Sequence, residues 1–96
     1  EVENALYEHN DVAQCAVIGI PDDKWGESVH AIVVPREGAN PSTEDLIRHC
    51  RKLIADYKCP RSVSYRTEAL PLSGPGKVLK TELRKPFWEG KERQVN

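Results

Sequence analysis

Cys15-Ala16-Val17-Ile18-Gly19-Ile20, closed by Pro21-Asp22-Asp23, is a nearly continuous apolar run that is too short for a helix and is stopped by turn formers. Such a run reads as a strand buried on both faces. Downstream, Val29 to Val34 is rich in β-branched residues and ends at Pro35 and Gly38. It reads as a second strand, antiparallel to the first and joined to it through Asp22 to Ser28. Upstream, Val2, Ala5 and Leu6 are at helical spacing and give a short first helix over Glu1 to Glu8. Because that pattern opens inside an element, we expect the sequence to be a fragment or excised domain.

Pro41-Ser42-Thr43-Glu44-Asp45 then supplies a helix start. Ser42 is the N-cap, and the acids fall in the first turn, where the helix dipole favours them. The helix is expected to run to about Ala55, with Leu46, Ile47, Cys50, Leu53 and Ile54 on the face laid against the sheet and Arg48, Arg51 and Lys52 towards water. Ser62 to Thr67 alternates Val63 and Tyr65 with polar neighbours and reads as a third strand. A short helix from about Leu79 to Lys85 follows, stopped by Pro86, and Gly90 to Asn96 carries no packing pattern. These elements predict a small two-layer α+β domain over residues 1–85, with a short, mainly antiparallel three-stranded sheet covered by helices. Residues 86–96 are expected to be a polar tail.

With 96 residues, 39% hydrophobic and 30% charged, and a net charge of −1, the chain has the composition of an ordinary globular unit with a modest core. That balance argues against a basic nucleic-acid binder. No apolar run reaches the roughly 18 residues of a membrane span, and no basic-then-apolar leader opens the chain, so we expect a cytoplasmic protein. Cys15, Cys50 and Cys59 are odd in number and widely spaced, which suits reduced thiols rather than a disulfide framework. Cys15 and Cys50 fall on apolar faces, whereas Cys59 is expected nearer the surface. His9, His30 and His49 lack the spacing of a metal site.

Chemistry concentrates in Leu70-Pro71-Leu72-Ser73-Gly74-Pro75-Gly76-Lys77-Val78-Leu79-Lys80. Gly76 removes the side chain beside Lys77 and admits unusual backbone angles, while Pro71 and Pro75 reduce the entropy of the loop. A lysine held this way can be delivered to a developing anion, although a solvated lysine in a surface turn is the plainer reading. A nucleotide P-loop needs glycine five positions before the Gly-Lys pair and Ser or Thr after it, and Pro71 and Val78 stand there instead. No strand runs into three spaced glycines, so a dinucleotide fingerprint is equally excluded.

Taken together, Glu1-Val2-Glu3, Ala16 to Asp22, Trp25-Gly26-Glu27, Tyr57-Lys58-Cys59-Pro60 and Leu70-Pro71 to Gly76-Lys77-Val78-Leu79-Lys80 occur in the order and spacing of one known domain. From Glu1 to about Lys85 the chain resembles the small C-terminal domain of adenylate-forming acyl-CoA synthetases, in the superfamily that includes firefly luciferase and nonribosomal adenylation domains. The resemblance implies a two-step ligase. A carboxylate attacks the α-phosphate of ATP, giving an acyl-adenylate and pyrophosphate, and a thiol then takes the acyl group and releases AMP. It further implies a large N-terminal adenylation domain that holds ATP, Mg²⁺ and the carboxylic acid substrate, against which this domain rotates between half-reactions.

By the same resemblance Lys77 is the adenylation lysine and Gly76 shapes its loop. Many relatives carry Ser or Thr where this chain has Pro75, which removes a hydroxyl but leaves glycine and lysine in register. Trp25, Tyr57, Lys58 and Arg61 correspond to the CoA path. An aromatic face suits stacking on adenine, and Lys58 or Arg61 suits phosphate oxygens. The plainer readings are core packing for Trp25, a helix-end contact for Tyr57 and solvation for the two cations. Two other roles stay open: a stand-alone binding module of the same fold, and an adenylating domain that serves a carrier protein. The isolated chain, lacking an adenine pocket and an acyl tunnel, is expected to be inactive.

Overall fold

The computed structural model describes residues 1–24 and 26–95, the last six of them through their backbone alone. The elements in chain order are α1 (Val2–Tyr7), β1 (Val12–Asp22), β2 (Gly26–Pro35), α2 (Thr43–Leu53), a single 3₁₀ turn (Asp56–Lys58), β3 (Ser62–Tyr65) and α3 (Lys80–Val95). The sheet order is β1-β2-β3. β1 and β2 form the expected antiparallel hairpin, longer than the apolar runs alone suggest, because pairing continues out to Asp22 opposite Gly26. β3 runs parallel to β2, with His30 opposite Ser62 and Val33 opposite Tyr65. The chain reaches it by crossing the sheet through α2, the connection that a parallel neighbour requires.

Alternation along the strands sorts the core into two clusters on opposite faces. Cys15, Ala31 and Val33 pack with Ala5 and Leu6 of α1, Leu46 and Cys50 of α2, and Cys59. Ala16, Ile18, Ile32 and Val34 pack with Leu70 and Leu83, with Phe87 against them. The helices therefore cover both faces, with α1 and α2 on one and α3 on the other. One register irregularity, between Val12 and Gln14, matters for this sorting. Because side chains alternate with period two, an extra residue there moves Val12 into the first cluster while Gln14 keeps the phase of the second.

α2 begins as its sequence dictates, with the Ser42 hydroxyl accepting from Asp45 N–H at 3.1 Å. Leu46 and Cys50 are fully buried and Ile54 packs beside them, but Leu53, expected on the same face, is 46% exposed. Leu53 is the last residue of the helix, and the neighbouring Ile54 takes the packed position instead. α3 departs further from expectation, since Pro86 lies inside it and the backbone stays helical to Val95. The missing N–H and the ring clash at an interior proline cost a helix about 3 kcal/mol. Here the turn after Pro86 is held from outside: Phe87 packs on the second cluster, and Trp88 Nε1 donates to Gly19 O at 2.8 Å. The side chains of residues 90–95 and all of Asn96, which belong to the expected polar tail, lie outside the described residues.

The free edge of β1 is closed by side chains rather than by another strand. Tyr7 Oη accepts from Cys15 N–H at 3.2 Å and lies 3.3 Å from Cys15 O. Glu3 Oε2 accepts from Val17 N–H at 2.8 Å, and Trp88 reaches Gly19 O. An uncovered edge is a template for pairing with another chain, and these contacts occupy it.

Ser62 and Ser64, the polar residues that alternate with Val63 and Tyr65, point at a buried imidazole. His30 is 4% exposed, with Nδ1 2.6 Å from Ser62 Oγ and Nε2 2.9 Å from Ser64 Oγ. A neutral ring donates from one nitrogen and accepts at the other, which suits two hydroxyls. Burial lowers the His30 pKa from its ordinary 6.5. The unfolded chain therefore takes up this proton more readily than the folded one. Stability is fully present above about pH 6.5 and is lost as the pH falls through the lowered folded value. We expect the denaturation midpoint to drop on acidification below neutrality, and His30→Leu to flatten that dependence. The same substitution should cost about 1–3 kcal/mol at neutral pH by stranding two hydroxyls. Denaturant titrations of both forms at several pH values check this, and an unchanged slope in His30→Leu would assign the acid sensitivity elsewhere.

Candidate functional site

The loop carrying Lys77 is a small hairpin that is hydrogen-bonded within itself. Leu72 and Val78 form an antiparallel bridge, and Leu79 N–H donates to Pro71 O at 2.9 Å. Inside that base, Ser73 N–H donates to Lys77 O at 2.8 Å and Gly76 N–H to Ser73 O at 2.9 Å. The Lys77 N–H lies 3.3 Å from Ser73 Oγ. Gly76 has φ +92°, a left-handed conformation that side chains disfavour, so glycine at this position is a requirement of the turn. Lys77 is exposed, and among the described residues its ammonium has no hydrogen-bond or ion-pair partner. A rigid turn thus presents a free cation to solvent.

The hairpin stands on two legs, each tied to another element. On the first, Leu70 is buried and its N–H donates to Gln14 Oε1 at 3.0 Å. On the second, Lys80 opens α3 and its Nζ lies 2.8 Å from Glu3 Oε2, the same oxygen that takes the Val17 N–H. Burial pushes the Glu3 carboxyl upward, but the Lys80 ammonium and the Val17 N–H outweigh it and hold the group below its ordinary 4.5. Neither Gln14 nor Glu3 was visible as a site residue in the sequence, since each partner lies more than fifty positions away.

The other residues expected at the site gather ahead of β3. Tyr57 is 73% exposed on the 3₁₀ turn, and Lys58 Nζ lies 5.8 Å from its ring centroid. Lys58 is not simply solvated: it pairs with Glu1 Oε1 at 2.9 Å, and that hydrogen bond raises its pKa. Arg61 is anchored by its backbone, donating to Val29 O at 2.8 Å, and its side chain is exposed. Trp25 lies outside the described residues. Among the described residues no hydrogen bond or ion pair joins Lys77 directly to Tyr57, Lys58 or Arg61. Both groups are tied to the start of α1, where the N-cap residue Glu1 holds Lys58 and Glu3 holds Lys80.

The cysteines supply no nucleophile. Burial pushes the Cys15 thiol up to about 12 and the Cys50 thiol to about 11, and raises Cys59 as well. Cys59, expected near the surface, is 3% exposed, because the 3₁₀ turn folds it under the sheet beside Cys50. All three thiols are free. His9 and His49 serve the fold: His9 bridges Asp11 N–H and Asp45, and His49 bonds Ala5 O at 2.8 Å. Among the described residues no three His, Cys, Asp or Glu side chains could hold a metal ion, and no helix is long and apolar enough to cross a membrane.

The profile of the AMP-binding enzyme C-terminal domain matches residues 1–77, ending on the exposed lysine itself. The chain belongs to that family. It is 47% identical over 87 residues, 91% of its length, to a feruloyl-CoA synthase of an Amycolatopsis species. It is 41% identical over its full 96 residues to a fatty acid–[acyl-carrier-protein] ligase of Streptomyces coeruleorubidus. Each match spans 18% of the relative's own length. Among solved structures, an acyl-CoA synthetase of Brucella canis superposes with a TM-score of 0.85 at 33% identity, covering 94% of this chain and 17% of that one. The chain therefore corresponds to less than a fifth of these ligases.

Proposed function

We propose that this domain is the C-terminal, mobile part of a cytoplasmic ATP-dependent carboxylate–CoA ligase, and that it delivers Lys77 to the adenylation step. The observation that carries the reading is the free ammonium on a rigid, glycine-dependent hairpin at the end of the family match. Bringing an anionic carboxylate onto an anionic phosphate needs positive charge where the two meet, and a cation already held in place costs little reorganisation. Tyr57, Lys58 and Arg61 line the proposed CoA approach, with an exposed ring for adenine, the exposed Arg61 for phosphate oxygens, and Lys58 as a second cation once it exchanges Glu1 for a phosphate. By the family membership, ATP, Mg²⁺ and the acid are assigned to the large N-terminal domain of the same protein. The free thiols fit a reducing compartment.

A second acceptor has specific support, since one relative that the whole chain matches is named as a ligase of an acyl-carrier protein. The deciding experiment uses the full-length protein. Carboxylate-dependent exchange of pyrophosphate into ATP is expected first, followed by thioester formation with free CoA in preference to a phosphopantetheinylated carrier protein. Absence of exchange with any carboxylic acid would remove the adenylation reading. Transfer to carrier protein alone would replace CoA as the acceptor.

A further inference from the structure

The Lys77 hairpin is stiff inside but joins the body of the domain through two legs, so the direction in which it presents the ammonium is set at its base. Two side chains on and beside β1 hold that base. Gln14 Oε1 takes the Leu70 N–H on the first leg, and Glu3 Oε2 takes the Lys80 ammonium on the second while gripping Val17 N–H of the strand. We propose that Gln14 and the Glu3–Lys80 pair are positioning residues that aim Lys77, an inference that rests on the adenylation role proposed for that lysine.

The energetics favour aim over stability as the purpose of the pair. Lys80 and Glu3 are 48% and 35% exposed at their side chains. Ion pairs this exposed contribute little to folding. A displacement of about 1 Å at a catalytic group, by contrast, can lower a rate by a factor on the order of a hundred. The register irregularity beside Gln14 fits the same purpose. It lets Val12 turn to the α1 and α2 side while Gln14 stays on the side where Leu70 packs. Glu3 sits in the first turn of α1, next to the Glu1 that holds Lys58. The start of α1, from its N-cap Glu1 to Glu3, thus ties the hairpin both to the strand edge and to the segment ahead of β3.

The test separates the two half-reactions in the full-length enzyme. Glu3→Gln keeps an acceptor for Val17 N–H but removes the charge, Lys80→Met removes the cation, and Gln14→Ala releases the other leg. Each is expected to lower the turnover of acyl-adenylate formation about tenfold with little change in the ATP KM, an effect of the size that modest misalignment produces. Thioester formation from supplied acyl-adenylate should be retained, and Lys80→Arg should restore adenylation to near the original rate. Equal loss in both half-reactions, or failure of Lys80→Arg to rescue, would mark these residues as merely structural and overturn the proposal. Lys77→Ala is run in parallel. If it abolishes adenylation while the three variants leave it intact, the positioning role is wrong and the lysine's role survives. If it has no effect on adenylation, both fall together.

Discussion

If the full-length protein forms an acyl-adenylate as proposed, replacing Lys77 by alanine is expected to lower that step at least about a hundredfold, the equivalent of roughly 2.7 kcal/mol of transition-state stabilisation. The size follows from what the residue does in the proposed reaction. Negative charge accumulates around phosphorus as the carboxylate approaches, and removal of one preorganised donor at such a centre typically costs about 10²–10³ in rate. Among the described residues no second cation stands in the turn: Pro75, Gly76 and Val78 carry no donor side chain, and Lys80 is paired with Glu3. The loss should fall on turnover rather than on folding, since the Lys77 side chain is exposed and without partners among the described residues. Thioester formation from supplied acyl-adenylate should be comparatively intact. Measuring both half-reactions separately decides the matter, and equal losses in the two would remove the assignment.

The second large effect concerns the core. Leu46 is fully buried at the centre of the cluster where α2 meets α1 and the sheet. Leu46→Ala deletes three buried carbons and leaves a cavity walled by fixed strands, and such substitutions cost about 2–5 kcal/mol. A domain of this size has only about 5–14 kcal/mol of stability in total. The expected outcome is a large fall in the denaturant midpoint with little change in the slope of the transition. A cost under about 1 kcal/mol would mean that the site collapses around the smaller side chain, which the packing from three elements opposes.

Much of this was legible in the chain itself, wherever neighbouring residues decide the outcome. The apolar run from Cys15 to Ile20 required a strand buried on both faces, and helices do cover both faces of the sheet. Ser42 three residues before Asp45 is a cap at the spacing of one turn, and the bond is present. Gly76 beside Lys77 marked a position free to take backbone angles other residues avoid, and its φ is +92°. The misreadings arose where a distant partner overrides a local rule. Pro86 should break a helix, but Phe87 and Trp88 dock on the sheet and carry the helix through it. The pairing of Ser62 and Ser64 with His30 was not legible, because periodicity registers polarity and not what the polar group meets. Cys59 looked exposed because its burial depends on how the 3₁₀ turn closes over the first cluster.

The amino-acid order by itself determined the strands, the capped helix and the glycine-dependent turn that displays Lys77, because backbone preference and alternation act over a few residues. Only the tertiary structure decided where that turn points. Gln14 is fifty-six positions from Leu70, and Glu3 is still farther from Lys80. Hydrogen bonds and charge act over a few ångströms of space, so pairs this far apart along the chain exist only once the sheet has brought α1, β1 and α3 together.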